Sequence, residues 1–189
     1  MIYILSGLVL FFGPHFFSYT QARQSLLTKL GEGPYKGLYS LASLAGLILM
    51  GLGYWQARSG PLAAASLWSP PEWAFSLAPP MVFFAFVLIA ASHTKGHLKL
   101  WVRHPMSAGM FLWALAHLLS GGKTATTLIF GSFLVLSVVD IAIHLARGQN
   151  PQFSPRISGD FVALLGGAVA FGLFALLFHP YVLNLPVLF

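Results

Sequence analysis

The chain has 189 residues, of which 57% are hydrophobic and only 7% are charged. A soluble domain carries roughly 25% charged residues, so this composition excludes an ordinary soluble domain and indicates an integral membrane protein. The ten Lys and Arg residues are too few and too scattered for a nucleic-acid-binding face, and they suit orientation in a bilayer. Because the chain has no cysteine, disulfides, thiolate ligands and iron–sulfur clusters are excluded, and histidine would have to hold any bound iron.

Six apolar stretches are predicted to be membrane-spanning helices, since a span needs about 20 mostly apolar residues. In chain order they are Met1–Tyr19, Leu38–Gln56, Trp73–Ser92, Pro105–Ser120, Thr124–Leu145 and Phe161–Phe178. Polar or proline-rich connections separate them, with turns predicted at Gly31–Pro34 and Gly121–Lys123. The sequence therefore predicts an all-α polytopic membrane protein, a bundle of six transmembrane helices that forms one domain over residues 1–189.

Prolines and small residues predict local features of these spans. Pro14 should kink the first span and free a backbone carbonyl close to His15. The pair Pro79–Pro80 should break the third span near its start. In the second span, Ala42 and Gly46 should allow a neighbouring helix to approach closely.

The basic residues are unevenly divided among the predicted loops. The loops after spans two and four hold only Arg58 and Lys123. The loops after spans one, three and five hold the other eight cations: Arg23, Lys29, Lys36, Lys95, Lys99, Arg103, Arg147 and Arg156. Because basic loops tend to stay in the cytoplasm, we expect the His93–Arg103 loop to be cytoplasmic and both termini to lie outside.

The stretch His93–His117 holds four of the seven histidines, and imidazole suits metal or haem ligation and proton transfer. His93 and His97 have the i, i+4 spacing of helical metal ligands, but Gly96 and the flanking lysines favour a solvated loop. His117 lies within the fourth span. There it is either a ligand or an ordinary core histidine.

Three further residues are candidates. His15 lies about three-quarters of the way through the first span, where a polar ring is costly unless it is paired. It is therefore a functional candidate, the plain alternative being one hydrogen bond to a neighbouring helix.

Asp140 and His144 are spaced i, i+4 and share a helix face. The carboxylate either fixes the imidazole tautomer or pairs with a cation such as Arg103 while His144 is solvated. His179–Pro180 is predicted to cap the last helix.

Several motifs resemble the NnrU family of membrane proteins. They are Phe12–His15, the run Gly31–Leu41, the run from Arg103-His104-Pro105-Met106 to Trp113–His117, and the late Asp140. That family takes its name from nitrite and nitric oxide reduction in denitrifying bacteria. It includes the plant and cyanobacterial 15-cis-zeta-carotene isomerase, a haem b enzyme that isomerises a carotenoid double bond. The resemblance implies a haem b protein of the bacterial inner (cytoplasmic) membrane. It would act in redox-dependent isomerisation of an apolar, carotenoid-like substrate or in denitrification-linked nitric oxide metabolism.

By motif, the haem-iron ligands that the resemblance implies fall on His15 and His117. If their helices are regular, these two residues differ in depth by on the order of 13 Å, counted at about 1.5 Å per residue. His104 and His144 lie nearer to His15 in depth. We therefore keep them, with Asp140 beside His144, as rival residues for the cofactor.

The resemblance implies haem binding more strongly than carotenoid isomerisation, and other functions stay open. Ala114 stands where the isomerase has a cysteine. The isomerase's histidines on span five are not matched in register, and His144 is the nearest residue here. A non-catalytic haem or nitric oxide sensor, or a reductase assembly factor, would need the same ligated iron. Arg-His-Pro followed by Gly109 also resembles membrane methyltransferases, but their C-terminal cofactor motif needs paired glutamates and this chain has no acid after Asp160. The expected partners are membrane lipid and an apolar small molecule, with no nucleic acid.

Overall fold

The computed structural model describes residues 1–60 and 65–185, and its regular secondary structure is helical. This confirms the predicted all-α class. In chain order the helices are α1 (Ile2–Phe17), α2 (Ala22–Leu30), α3 (Glu32–Ser59), α4 (Glu72–Ser92), α5 (His97–Val102), α6 (Pro105–Ser120), α7 (Thr124–Ala146) and α8 (Ile157–Gly172), and α8 continues as a π-helix over Leu173–Val182.

Four of the described helices are long and apolar enough to cross a membrane. They are α3, α4, α7 and α8 with its π-helical continuation. The α1–α2 pair provides a fifth only if these two helices, which are bent by 92° relative to each other, count as one span. Helix α6 is apolar but has only 16 residues. The chain therefore has the helices of a multi-pass membrane protein, and the total of six spans stays a prediction.

The polar connection after the first span is mostly helical, whereas the sequence suggested a loop. Helix α3 already begins at Glu32, upstream of the predicted start at Leu38. Gly31 separates α2 from α3 with a φ of +82°, a conformation that glycine adopts without a Cβ clash. Pro34 does not end the helix, because in the first turn its missing N–H has no helical acceptor.

The predicted breaks at proline are wrong at two places. Helix α4 runs unbroken through Pro79 and Pro80. The π-helix runs through Pro180, so His179–Pro180 does not cap the last helix. Membrane helices tolerate proline because neighbouring helices and local π-helical adjustment satisfy the freed backbone groups.

Residues 1–67 and 123–132 form one compact unit, in which glycines bring α1 and α3 together. A Cβ atom at Gly7 would lie 2.7 Å from the carbonyl oxygen of Gly46. A Cβ atom at Gly46 would lie 2.6 Å from the backbone nitrogen of Phe11. No side chain fits at such distances, so the close packing predicted at Gly46 is confirmed.

Residues 68–122 and 133–189 form a second compact unit, in which α4 packs against both α6 and α8. A Cβ atom at Gly109 of α6 would lie 2.7 Å from the carbonyl oxygen of Ala85. A Cβ atom at Gly167 of α8 would lie 2.6 Å from the backbone nitrogen of Val87. Both faces of α4 are thus packed at backbone contact distance. A single domain over residues 1–189 stays a prediction.

The basic segment after α4 is held by the start of α8, so the solvated loop predicted around His97 is wrong. One carboxylate oxygen of Asp160 accepts from the backbone N–H of His97 at 2.9 Å, and the other accepts from that of Leu98 at 2.9 Å. The Nδ1 atom of His97 lies 2.8 Å from the same carboxylate. Asp160 therefore caps the N-terminus of α5 from a distant helix, satisfying N–H groups that the helix itself leaves without acceptors.

Candidate functional site

His15 lies near the end of α1, in the first unit, and its ring is held in one orientation. Its Nδ1 lies 2.6 Å from the carbonyl oxygen of Phe11, one turn earlier. The ring stacks on that of Phe11 with centroids 4.4 Å apart, and the ring of Tyr39 in α3 lies 5.0 Å away. Because a carbonyl oxygen only accepts, Nδ1 carries the hydrogen and the lone pair of the neutral imidazole is on Nε2.

His117 lies in α6, in the second unit, and repeats the same arrangement. Its Nδ1 lies 2.8 Å from the carbonyl oxygen of Trp113, whose ring centroid is 5.1 Å from the imidazole. The ring of His179 lies 6.1 Å away at an interplanar angle of 28°. Sequence reasoning assigned His179 to a helix cap and missed this neighbour, since no spacing pattern links two residues so far apart in the chain.

A cluster of four polar side chains joins α6 and α7. We call Ser107, Asp140, His104 and His144 the Asp140 cluster. The hydroxyl of Ser107 donates to the carboxylate of Asp140. The Nδ1 atom of His144 lies 2.8 Å from the backbone carbonyl of Asp140 and 3.3 Å from its carboxylate. The contact that the i, i+4 spacing predicted between Asp140 and His144 is thus present, and Ser107 is a member that the sequence did not suggest.

His104 completes the cluster from the turn before α6. Its ring centroid lies 5.1 Å from that of His144, and its Nε2 is buried with no hydrogen-bond partner in the described part of the chain. Burial lowers the pKa of His104, and the neighbouring His144 lowers that pKa further. At neutral pH the ring is therefore uncharged. Arg103 before it has a φ of +62°, a rare value for a residue with a side chain, and this bend begins the turn.

The structure thus brings His104, His144 and Asp140 together, whereas His15 and His117 belong to different units. Within residues 1–60 and 65–185, no three His, Asp or Glu side chains converge as the ligands of a metal ion would. A haem iron needs fewer protein ligands than a bare metal ion, because the porphyrin already supplies four nitrogens.

Comparison with models of known protein families shows which family this chain belongs to. Residues 3–187 match the model of NnrU, described as NnrU protein. The chain belongs to the NnrU family. Neither a curated protein nor a solved structure matches it. The match covers both compact units, so the resemblance seen in the separate motifs extends over nearly the whole chain.

His15 and His117 of this NnrU chain are chemically suited to hold a haem iron. Iron-ligating histidines commonly donate one ring N–H to a backbone carbonyl, which fixes the ring and raises the basicity of the other nitrogen. Both residues have such a bond, to Phe11 and Trp113 respectively. Aromatic rings flank each imidazole, as expected for an apolar porphyrin pocket. Each of the two imidazoles, taken by itself, could therefore ligate the iron of a haem that needs no thiol for attachment.

Proposed function

We propose that this NnrU protein binds haem b non-covalently within the membrane, and that His15 and His117 are the residues that would hold its iron. The Nδ1 atoms of His15 and His117 lie 2.6 Å and 2.8 Å from the carbonyl oxygen one turn earlier. The rival His144 has the same bond at 2.8 Å, so the hydrogen bonds support imidazole ligation in general and the family motifs select His15 and His117. The hydrogen-bond pattern puts the ligating lone pair of each ring on Nε2. The family motifs that contain the two residues add independent support.

We favour a redox-dependent, isomerase-like function on an apolar, carotenoid-like substrate over denitrification-linked nitric oxide metabolism. Bound haem would supply one-electron chemistry and reversible binding of a small ligand. His15 and His117 would orient the cofactor through their backbone hydrogen bonds.

The haem proposal is tested by the absorption spectrum of the protein purified after expression with adequate haem supply. We expect a Soret band, which His15→Ala and His117→Ala should each abolish or strongly reduce. The matched variants His104→Ala and His144→Ala should retain it. Absence of the band from the parent protein would refute haem binding. If His117→Ala kept a six-coordinate spectrum while His104→Ala or His144→Ala lost it, the second ligand would be in the Asp140 cluster.

Two alternatives are a non-catalytic haem or nitric oxide sensor and a reductase assembly factor. Binding of a gas to the iron tests whether the haem can act on a ligand at all. If both histidines held the iron, it would have no open position, and one histidine would have to leave before a gas or substrate could bind. Their two helices, α1 and α6, both have 16 residues. His117 is the candidate for leaving, because α6 ends at Ser120 before Gly121–Gly122, whereas His15 directly follows Pro14. The ferrous protein should then bind carbon monoxide while the ferric protein stays six-coordinate. A ferrous spectrum indifferent to the gas would favour electron transfer or a structural haem.

We also infer that the protein lies in the bacterial inner membrane with both termini outside. The division of cations between the predicted loops supports this orientation. The chain has no native cysteine, so single cysteines can be placed cleanly. A membrane-impermeant maleimide added from outside should label Gly60→Cys and leave Lys99→Cys unlabelled. The reverse labelling would invert the topology.

A further inference from the structure

The run Gly31–Leu41, one of the family motifs, has no role in the proposed haem ligation, yet it lines a cavity. The cavity has a volume of about 410 Å³ and lies in the first unit, where α1 ends, α2 follows and α3 begins. We call it the headgroup pocket. Its polar lining consists of Ser18, Arg23, Glu32, Tyr35, Lys36 and Tyr39. Four of these six residues come from the motif.

The charge of the headgroup pocket favours an anion. Arg23 and Lys36 bring two positive charges, and Glu32 brings one negative charge, which leaves an excess of one cation. The ammonium of Lys36 lies 2.6 Å from the carboxylate of Glu32, so that acid already has a cationic partner. The guanidinium of Arg23 lies over the ring of Tyr35, 5.8 Å from its centroid. This contact leaves the N–H donors along the guanidinium edge to bind oxygen atoms.

Tyr35 supplies a second, independent indication of a ligand. Its side chain is buried, with 8% of the residue surface exposed, and it lines the pocket. Its hydroxyl has no hydrogen-bond partner among the described residues. Buried polar groups are nearly always hydrogen-bonded, and a phenol offers one O–H donor. The group that complements Tyr35 and the two cations is therefore an oxygen acceptor with negative charge.

The pocket begins beside the proposed iron ligand. Tyr39 lines the pocket, and its ring lies 5.0 Å from that of His15. Ser18 also lines it and donates to the carbonyl oxygen of His15. An amphiphile whose apolar body lay against α1 could thus present its polar end to Arg23 and Tyr35.

We propose that the headgroup pocket binds the anionic oxygen group, carboxylate or phosphate, of an amphiphile in the membrane. Arg23 donates charge-assisted hydrogen bonds to it, beside the ion pair of Lys36 with Glu32, and Tyr35 donates its buried O–H. Two sources carry this chemistry: a haem propionate and the phosphate of an anionic phospholipid. The haem source rests on the proposed function, whereas the phospholipid source is independent of it.

The test uses the full-length protein and two pairs of variants. Arg23→Gln removes a pocket cation, and Lys29→Gln is its control, because Lys29 lies on the same helix but does not line the pocket. Tyr35→Phe removes the hydroxyl, and Tyr54→Phe is its control on the same helix α3. One arm measures the affinity for haemin and for haemin dimethyl ester, whose carboxylates are blocked. The other measures phosphatidylglycerol binding in phosphatidylcholine nanodiscs by native mass spectrometry.

With a propionate in the pocket, Arg23→Gln and Tyr35→Phe should each weaken haemin binding about tenfold. They should leave binding of the dimethyl ester unchanged, and the controls should behave like the parent protein. With a phospholipid in the pocket, the same variants should weaken phosphatidylglycerol binding by a similar factor. If the protein bound no haemin at all, the proposed function would fail and the lipid arm alone would decide the pocket. Variants that match their controls in both arms, or that weaken haemin and its ester equally with no lipid effect, would overturn the proposal.

Discussion

The protein contains two acid–base pairs with the same i, i+4 spacing and different surroundings. Glu32 and Lys36 in the headgroup pocket are 2.6 Å apart, with side chains 73% and 71% exposed. Asp140 and His144 are 3.3 Å apart, with side chains 21% and 32% exposed. The first pair lines an open cavity, and the second is tied into a network with Ser107 and His104. Equal spacing on a helix therefore does not determine whether such a pair is available to a ligand or is part of the scaffold.

The two regions are also stabilised differently. In the first unit, α1 and α3 meet at backbone contact distance through Gly7 and Gly46. The ion pair of Glu32 with Lys36 is exposed, so it contributes little to the fold. In the Asp140 cluster, the hydrogen bond from Ser107 to Asp140 itself links α6 to α7. Packing thus leaves the first set of polar groups for binding, whereas the second set stabilises the structure that contains it.

The largest expected effect comes from breaking the packing of α1 against α3 in the first unit. Gly46→Ala should destabilise the protein by about 1–3 kcal/mol, as overpacking does, because the added Cβ would meet backbone atoms of Phe11 and Gly7 that cannot move independently. Gly51→Ala is the matched control in α3, since a Cβ there meets nothing within 4 Å. Thermal or detergent-induced unfolding measures both. Equal stabilities would show that α1 and α3 do not depend on this approach.

The next effect contrasts the two acid–base pairs directly. Asp140→Ala should destabilise the protein by about 1–2 kcal/mol, the upper range for hydrogen bonds between membrane helices, because Ser107 loses its acceptor and His144 its carboxylate. Glu32→Ala should leave stability unchanged, since exposed ion pairs contribute little. The same unfolding assay compares them. A loss in Glu32→Ala as large as that in Asp140→Ala would remove the distinction drawn between the regions.

The smallest effect concerns one bond of the cluster. Ser107→Ala should destabilise by about 0.6 kcal/mol, the average for such bonds, because Asp140 keeps His144 as a neighbour. Ser132→Ala is a suitable control, since that hydroxyl donates only to the carbonyl of Leu128 within its own helix. If Ser107→Ala and Ser132→Ala unfold alike, the hydroxyl does not join α6 to α7 energetically.

Much of the fold was predictable from local sequence. The apolar runs correspond to helices, and Pro105 and Ser120 are the ends of α6 as predicted. The errors came from reading proline and polarity as breaks at Pro79–Pro80 and Thr20–Lys36. Polarity by itself does not prevent a helix, since α2 forms without any buried residue. The proline signal describes a helix in water, where freed backbone groups are solvated. A membrane helix instead keeps its internal hydrogen bonds, since it has no other partner for them.

The candidate site was only partly predictable. The i, i+4 spacing identified Asp140 and His144 as neighbours because helical geometry alone brings such residues together. Ser107, His179 and the capping role of Asp160 have no local signal. Tyr35 and Arg23 were visible only as a motif residue and a loop cation, and their shared cavity depends on how α2 folds back beside α3.

The sequence by itself determined the helical class, the membrane character and the family, because each of these depends on composition or on contiguous motifs. Only the tertiary structure decided which polar groups meet. Ser107 and Asp140 are 33 residues apart, and His97 and Asp160 are 63 apart. Such contacts depend on which helix faces pack together. For His97 and Asp160, the chain approaches closely at Gly159, where an added Cβ would lie 2.6 Å from the backbone nitrogen of Gly96. The residue pattern of a single helix does not specify which other segment of the chain packs against it.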